Sequence, residues 1–212
     1  RTGAACISGV APSTWAGYCA APATPFNAYF SLDEAAVRTL LRWLIGEGMH
    51  GYAIAGTTGE WTALEAWERR RLFEIAREEI PADIPLLGGC SATSVAETLR
   101  HIDACKALGF DGALLTIPPY VRPGDREIVA FYREAGRRGG FPLVAYNWPS
   151  GTGRDIDAAL FERIAEIDEV VAIKNSTADL AGFVATLRAL RDRVRVFGIM
   201  PGDVGLGLMR TI

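Results

Sequence analysis

What most constrains this chain is a rhythm: short apolar runs alternate with longer amphipathic stretches along almost its whole length. The runs are 17–21, 52–55, 85–89, 113–117, 142–146, 170–174 and 194–198, and from the second onward their starts lie 24 to 33 residues apart. That interval is the length of one strand, one helix and their connections, about 30 residues. Continuous apolar strands between helices are covered on both faces, which indicates a parallel sheet. The expected fold class is therefore α/β, and seven consecutive units suit a (β/α)₈ barrel better than a doubly wound sheet. Residues 1–212 are expected to form a single barrel domain, because no inter-domain linker, low-complexity tract or heptad stripe interrupts the rhythm. An eighth βα unit and closing helices are not visible before Ile212. A barrel lacking one stave would expose two sheet edges.

Capping patterns support the segmentation. Ser31-x-x-Glu34, Thr62-x-x-Glu65 and Ser94-x-x-Glu97 each follow a strand and match the pattern that satisfies free amides at a helix start. The first predicts a helix over 33–48 with Ala36, Val37, Leu40, Leu41 and Leu44 at helical spacing, ending near Gly46 and Gly48.

Composition excludes several classes. With 22 Lys plus Arg against 25 Asp plus Glu the chain is mildly acidic, and it has no basic tract, so neither nucleic acid nor an anionic membrane is an expected partner. No apolar stretch is long enough to span a membrane, the first residues do not resemble a signal peptide, and the expected compartment is the cytoplasm. Cys6, Cys19, Cys90 and Cys105 are widely spaced, which fits reduced, mostly buried thiols, and with only His50 and His101 no metal site is expected.

The cations carry more information than their sum. Of the 22, only Lys106 and Lys174 are lysines. Arg stays charged in a protein, whereas a desolvated Lys can become a neutral, nucleophilic amine. Lys174 ends the run Val170-Val171-Ala172-Ile173, at the strand end where barrels carry their chemistry. Its apolar strand environment is expected to disfavour the ammonium. Lys106 sits on a helix and reads as a solvated charge.

Tyr146 ends the preceding strand, and neighbouring strands lie about 4.8 Å apart, so both side chains should open onto one cavity. A phenol beside an amine can shuttle protons to and from a carbonyl adduct. The loop Gly56-Thr57-Thr58-Gly59-Glu60 combines flexible glycines, two hydroxyls and turned amides near a helix start, a construction suited to a small carboxylate or phosphate. Pro118-Pro119-Tyr120-Val121-Arg122-Pro123 adds a stiff segment with one phenol. No Ser-His-Asp grouping, Walker loop or dinucleotide fingerprint is present, leaving amine, phenol and hydroxyl chemistry.

Taken together, Thr24-Pro25-Phe26, Gly56 to Glu60, Pro119-Tyr120-x-Arg122-Pro123, Tyr146-Asn147-x-Pro149-x-x-Thr152-Gly153 and Ile173-Lys174 resemble the dihydrodipicolinate synthase and N-acetylneuraminate lyase family. The resemblance runs in order over about residues 16 to 200. It implies a barrel, commonly in a homotetramer, that forms a Schiff base with pyruvate or a related 2-oxo acid and needs no cofactor. On that resemblance Lys174 is the Schiff-base lysine, Tyr146 the general acid/base and Thr57 a proton relay. Thr58 with the backbone of Gly56 and Gly59 becomes the carboxylate site, and Gly151 and Gly198 border the substrate. Tyr120 matches the relay tyrosine that the family inserts into a neighbouring subunit's site, implying a dimer or tetramer.

The pattern departs from the family at two places. Gly151 stands where the synthase carries an Arg for the aldehyde partner's carboxylate, so an aldehyde less acidic than that of lysine synthesis is expected, with Trp148 beside it. Residues 198–202 fit the family only loosely. The function expected is a Schiff-base-forming lyase or aldolase; the alternatives are a non-catalytic 2-oxo-acid-binding pseudoenzyme, or a dehydratase of 2-keto-3-deoxy sugar acids from the same family. A phosphate-binding barrel enzyme using the 56–60 loop is a further, more distant one.

Overall fold

A computed structural model describes residues 15–198 and, beyond them, positions 205 and 207. Cys6 and the stretch 199–202 lie outside the described residues. All seven expected strands are present: β1 (Cys19–Ala20), β2 (Gly51–Ile54), β3 (Leu86–Gly89), β4 (Gly112–Thr116), β5 (Leu143–Asn147), β6 (Val170–Asn175) and β7 (Arg195–Phe197). They form one sheet in chain order with every neighbouring pair parallel. The helices between them are α1 (Glu34–Gly46), α2 (Ala66–Glu79), α3 (Val95–Ala107), α4 (Asp125–Gly139), the single turn α5 (Pro149–Thr152), α6 (Ala158–Ile164) and α7 (Leu180–Leu190). Among the described residues, β1 and β7 each pair on one side only. The architecture is thus a seven-unit (β/α) barrel arrangement.

Side chains along each strand divide between two apolar clusters, as a period of two requires. Tyr52, Ile54, Leu86, Ala113, Leu115, Leu143, Ala145 and Ile173 face outward and pack with the helices in the large cluster. Ala53, Leu87, Leu114, Val144, Tyr146 and Ala172 face the lumen, where Trp15 packs against them in a second, smaller cluster. The central runs look unbroken in sequence because β2 to β6 are buried, or nearly so, on both faces, whereas the outer strands β1 and β7 are partly exposed.

One irregularity matters for the site. Leu143 pairs with Val170, yet Val144 pairs with Ala172, so Val171 is an extra residue in β6. Such a bulge shifts everything beyond it by one position relative to the partner strand. From there Tyr146 lies opposite Lys174 and Asn147 opposite Asn175. Had the first pairing continued unchanged, Tyr146 would oppose the outward-facing Ile173 and Lys174 would oppose Asn147.

Two helix starts differ from expectation. The α1 cap is Asp33, whose carboxylate accepts from the Ala36 amide at 3.0 Å. Ser31 lies within a preceding turn, where the Asn27 side chain accepts from the amides of Tyr29 and Ser31. Before α2, Trp61–Ala63 forms a 3₁₀ turn and Glu65, not Thr62, caps the helix. The cause is Glu68, whose carboxylate receives the amides of both Glu65 (3.0 Å) and Leu32 (2.8 Å) and so fixes where the helix begins. Ser94 caps α3 as expected, accepting from the Glu97 amide.

Candidate active site

At the C-terminal ends of β5 and β6, the bulged register puts a phenol and an amine side by side in the lumen. Tyr146 is buried and Lys174 half-buried, with the lysine Nζ 4.4 Å from the centre of the tyrosine ring. The Thr57 hydroxyl donates to the Tyr146 hydroxyl at 3.4 Å, a long hydrogen bond of the kind that tightens when a site is occupied. These three groups come from three different strand ends, as barrel chemistry requires. Tyr146 and Lys174, but not Thr57, border a cavity of about 650 Å³, whose polar lining includes Thr58, Ser176 and Thr177 and whose apolar lining includes Leu87, Leu114 and Val144.

Thr57 is held in place by an unusual stretch of backbone. Ala55 and Glu60, at either end of the loop, both adopt left-handed conformations, with φ of 54° and 50°. The turn closes through the Glu60 amide, which donates to the Thr57 carbonyl at 3.0 Å. The buried Thr24 hydroxyl donates to the Gly59 carbonyl at 2.7 Å, which gives the Thr24-Pro25-Phe26 motif a structural role. The neighbouring strand must also give way: a Cβ on Gly89 would lie 1.9 Å from the Ala55 carbonyl oxygen. Thr58 lines the cavity, whereas Gly56 and Gly59 shape the loop without bordering the space.

Gly198 does border it, at φ 139° and so close to the Asn175 backbone that a Cβ would lie 2.0 Å from its carbonyl oxygen. Gly151 stands apart on α5 beneath the Trp148 indole; a Cβ there would sit 2.1 Å from the ring. Arg154 is ion-paired with Asp125 at the start of α4 and does not line the cavity. Tyr120 is 95% exposed, in a left-handed conformation (φ 78°), and it too lies outside the cavity wall. Lys106 donates to the Gly139 carbonyl at 2.7 Å, so it ties α3 to α4. Among the described residues no group of three or more His, Cys, Asp or Glu is placed to hold a metal ion, and no helix is long and apolar enough to cross a membrane.

Sequence reasoning missed two features of this site. Cys19 on β1 is exposed to solvent as a residue and lines the same cavity; desolvation by the surrounding walls pushes its thiol up to about 11, with the Lys174 charge acting in the opposite direction. Behind the strand ends, Asn147 and Asn175 form a buried amide pair at 2.9 Å. Polar residues just past an apolar run read as loop, and no spacing rule distinguishes a buried amide from an exposed one.

Residues 14–203 match the family model described as the dihydrodipicolinate synthetase family. The chain is 36% identical over 189 residues to the 4-hydroxy-tetrahydrodipicolinate synthase of Stenotrophomonas maltophilia strain R551-3, covering 89% of this chain and 63% of that protein. It is 32% identical to an uncharacterized DapA-like lyase of Rhizobium meliloti, covering 88% of this chain and 62% of that protein. Among solved structures, the chloride-inhibited dihydrodipicolinate synthase of Acinetobacter baumannii complexed with pyruvate superposes with a TM-score of 0.83 at 30% identity, covering 86% of this chain and 62% of that one. The chain therefore spans less than two thirds of the length of these relatives. With the model match spanning nearly all the described residues, and the same barrel units in the same order, the chain belongs to the dihydrodipicolinate synthetase family.

Proposed function

We propose that this chain carries the Schiff-base site of a lyase or aldolase acting on pyruvate or another 2-oxo acid, within a single barrel domain. The observation that carries the reading is the Lys174 amine over the Tyr146 ring, with Thr57 on the phenol, at the mouth of a cavity. The pyruvate held by the Acinetobacter relative supports the substrate class.

In this reading the Lys174 amine, once deprotonated, attacks the keto carbon, and the oxygen leaves as water after taking one hydrogen from the amine and one from the Tyr146 hydroxyl. Thr57 passes protons to and from the phenol. The resulting protonated imine withdraws electrons from the adjacent carbon. That carbon loses a proton to Tyr146 and then adds to an aldehyde; the reverse sequence cleaves a C–C bond. The Thr58 hydroxyl and neighbouring loop amides hold the carboxylate, and Gly198 leaves room beside it. Organic cofactor and metal have no step in this sequence.

Tyr120 would act across an oligomer interface, in a dimer or tetramer, a role that its exposed position outside the cavity wall of its own chain supports. The aldehyde would be less acidic than that of lysine synthesis. Gly151 lies under Trp148, and Arg154 is occupied by Asp125, so neither offers a carboxylate clamp.

Incubation with pyruvate and borohydride tests the core of this reading. A covalent mass increment mapped to Lys174 is expected; a folded, unlabelled protein would refute it.

A further inference from the structure

The bulge in β6 poses a problem that the active-site residues do not solve. Two pairings of β5 with β6 differ by one residue, and only one sets Lys174 against Tyr146. The pairing nearest the strand starts, Leu143 with Val170, belongs to the unbulged alignment, so something beyond Val171 must hold the other. Lys174 and Tyr146 cannot do so themselves, because their contact is a nitrogen over a ring face and carries little directional constraint.

The residues immediately after them can. Asn147 and Asn175 are 1% and 2% exposed and face each other across the two strands. Asn147 Nδ2 donates to Asn175 Oδ1 at 2.9 Å and to Asp155 Oδ1 at 2.6 Å, while its own Oδ1 accepts the Ile156 amide at 3.1 Å. Asn175 Oδ1 also accepts the Thr177 amide at 3.2 Å. Asp155 closes the circuit, since its Oδ2 accepts from the Thr177 hydroxyl at 3.0 Å. Both hydrogens and the oxygen of the Asn147 amide are thus used. A buried amide in this state resists displacement, because sliding the strand would leave donors and acceptors unpaired away from water.

The network is specific to the bulged register. Two of its bonds cross between the strands, Asn147 to Asn175 and Thr177 to Asp155, while the others only orient the groups that make them; in the unbulged register Asn147 would oppose Lys174 and Asn175 would oppose Trp148, and both crossing bonds would be lost. The clamp also reaches the cavity, for Ser176 and Thr177 form part of its wall and the Ser176 amide donates to the Asn147 carbonyl at 3.0 Å.

We propose that Asn147, Asn175 and Asp155 are positioning residues that lock β5 and β6 in the register that brings Lys174 to Tyr146. The proposal deepens the Schiff-base reading and rests on it for its catalytic consequence, whereas the register lock itself is independent of any chemistry. Asp155 is the member to alter, because it is exposed and its removal opens the circuit without leaving a buried cavity.

The experiment compares Asp155→Ala and Asp155→Asn with the unaltered protein. Hydrogen exchange by mass spectrometry reports on the register lock, and single-turnover imine trapping with pyruvate and borohydride, normalised to folded protein and followed against pH, reports on the chemistry. In Asp155→Ala the amides of 171–177 should exchange faster, and imine formation should slow by about 10- to 100-fold with a displaced pH profile. Asp155→Asn keeps an acceptor for Asn147 and a polar partner for Thr177, and should recover most of both. Unchanged exchange in Asp155→Ala would overturn the proposal, as would slower trapping that merely tracks the folded fraction. If the unaltered protein forms no imine, the Schiff-base reading fails while the exchange comparison still decides the register lock.

Discussion

Lys174 Nζ stands 4.4 Å above the Tyr146 ring, and the phenol oxygen at the ring's edge is turned to Thr57 rather than to the amine. The ring face favours a cation electrostatically, while the hydroxyl remains available to a carbonyl adduct. In the proposed reading, imine formation falls to the Lys174 amine and proton transfer to the Tyr146 hydroxyl, with the ring face between them holding the amine. Replacing Tyr146 by Phe preserves the face and removes the proton donor. Turnover should fall by about 10²- to 10⁴-fold, with 2-oxo-acid binding by calorimetry nearly unchanged.

Thr57→Val removes the hydroxyl that contacts the Tyr146 phenol, the proposed relay, at almost constant volume. A loss of about tenfold in kcat, restored largely by Thr57→Ser, is expected from steady-state kinetics, since a 3.4 Å contact contributes less than a short one. A valine variant as fast as the native protein would remove Thr57 from the proton path.

Cys19 offers a check on the placement of Lys174 that requires no substrate. The lysine charge holds the thiol below the value that burial alone would impose, and the result is about 11. Lys174→Ala should therefore raise it further. Alkylation of Cys19 at pH 9.5 should slow in the variant, measured by mass spectrometry, and an unchanged rate would mean that the amine is not near the thiol.

Glycine substitutions should separate into two classes. Gly89→Ala would drive a Cβ to 1.9 Å from the Ala55 carbonyl oxygen, whereas Gly46, in the last turn of α1, has nothing within 4 Å of the same added atom. Urea denaturation should show a loss of about 3 kcal/mol for Gly89→Ala and a gain of about 0.5–1 kcal/mol for Gly46→Ala.

Acid sensitivity should trace partly to His101. It is 9% exposed, its Nε2 lies 3.7 Å from the Glu97 carboxylate, and burial lowers its imidazole to about 4, with the Arg69 charge adding to the effect and Glu97 opposing it. Below the unfolded value near 6.5 the unfolded chain takes up a proton that the folded one refuses, so stability is lost as pH falls from 6.5 toward 4. The loss should reach about 2–3 kcal/mol at pH 4. His101→Gln should flatten that part of a stability-against-pH curve, while an identical slope would assign the sensitivity elsewhere.

Much of this was legible in the amino-acid order. Five buried strands, β2 to β6, announce themselves because each is largely apolar on both faces, β1 and β7 follow from the spacing, and Lys174 and Tyr146 stand out because polar groups that interrupt such runs at their ends have few structural uses. Helix starts were less legible. Ser31 and Thr62 match a local capping pattern, yet Asn27 and Glu68 redirect the amides through partners up to 36 residues away. The bulge at Val171 left no trace at all, for Val170, Val171 and Ala172 are alike in character and only pairing with β5 reveals the extra one. Ala55 in a left-handed conformation was hidden for a similar reason: the glycine that makes it possible is on the neighbouring strand.

The inserted valine also divides the kinds of genetic change this protein can absorb. A substitution at Val171 alters bulk by degrees, and its effect on the amine should be graded. Deletion of that codon joins Val170 directly to Ala172, so the bulge is lost and Lys174 still falls opposite Tyr146, whereas a codon gained or lost between Ala172 and Lys174 turns the amine from lumen to helix layer at once. Natural variation should consequently preserve length beyond Ala172 far more strictly than identity.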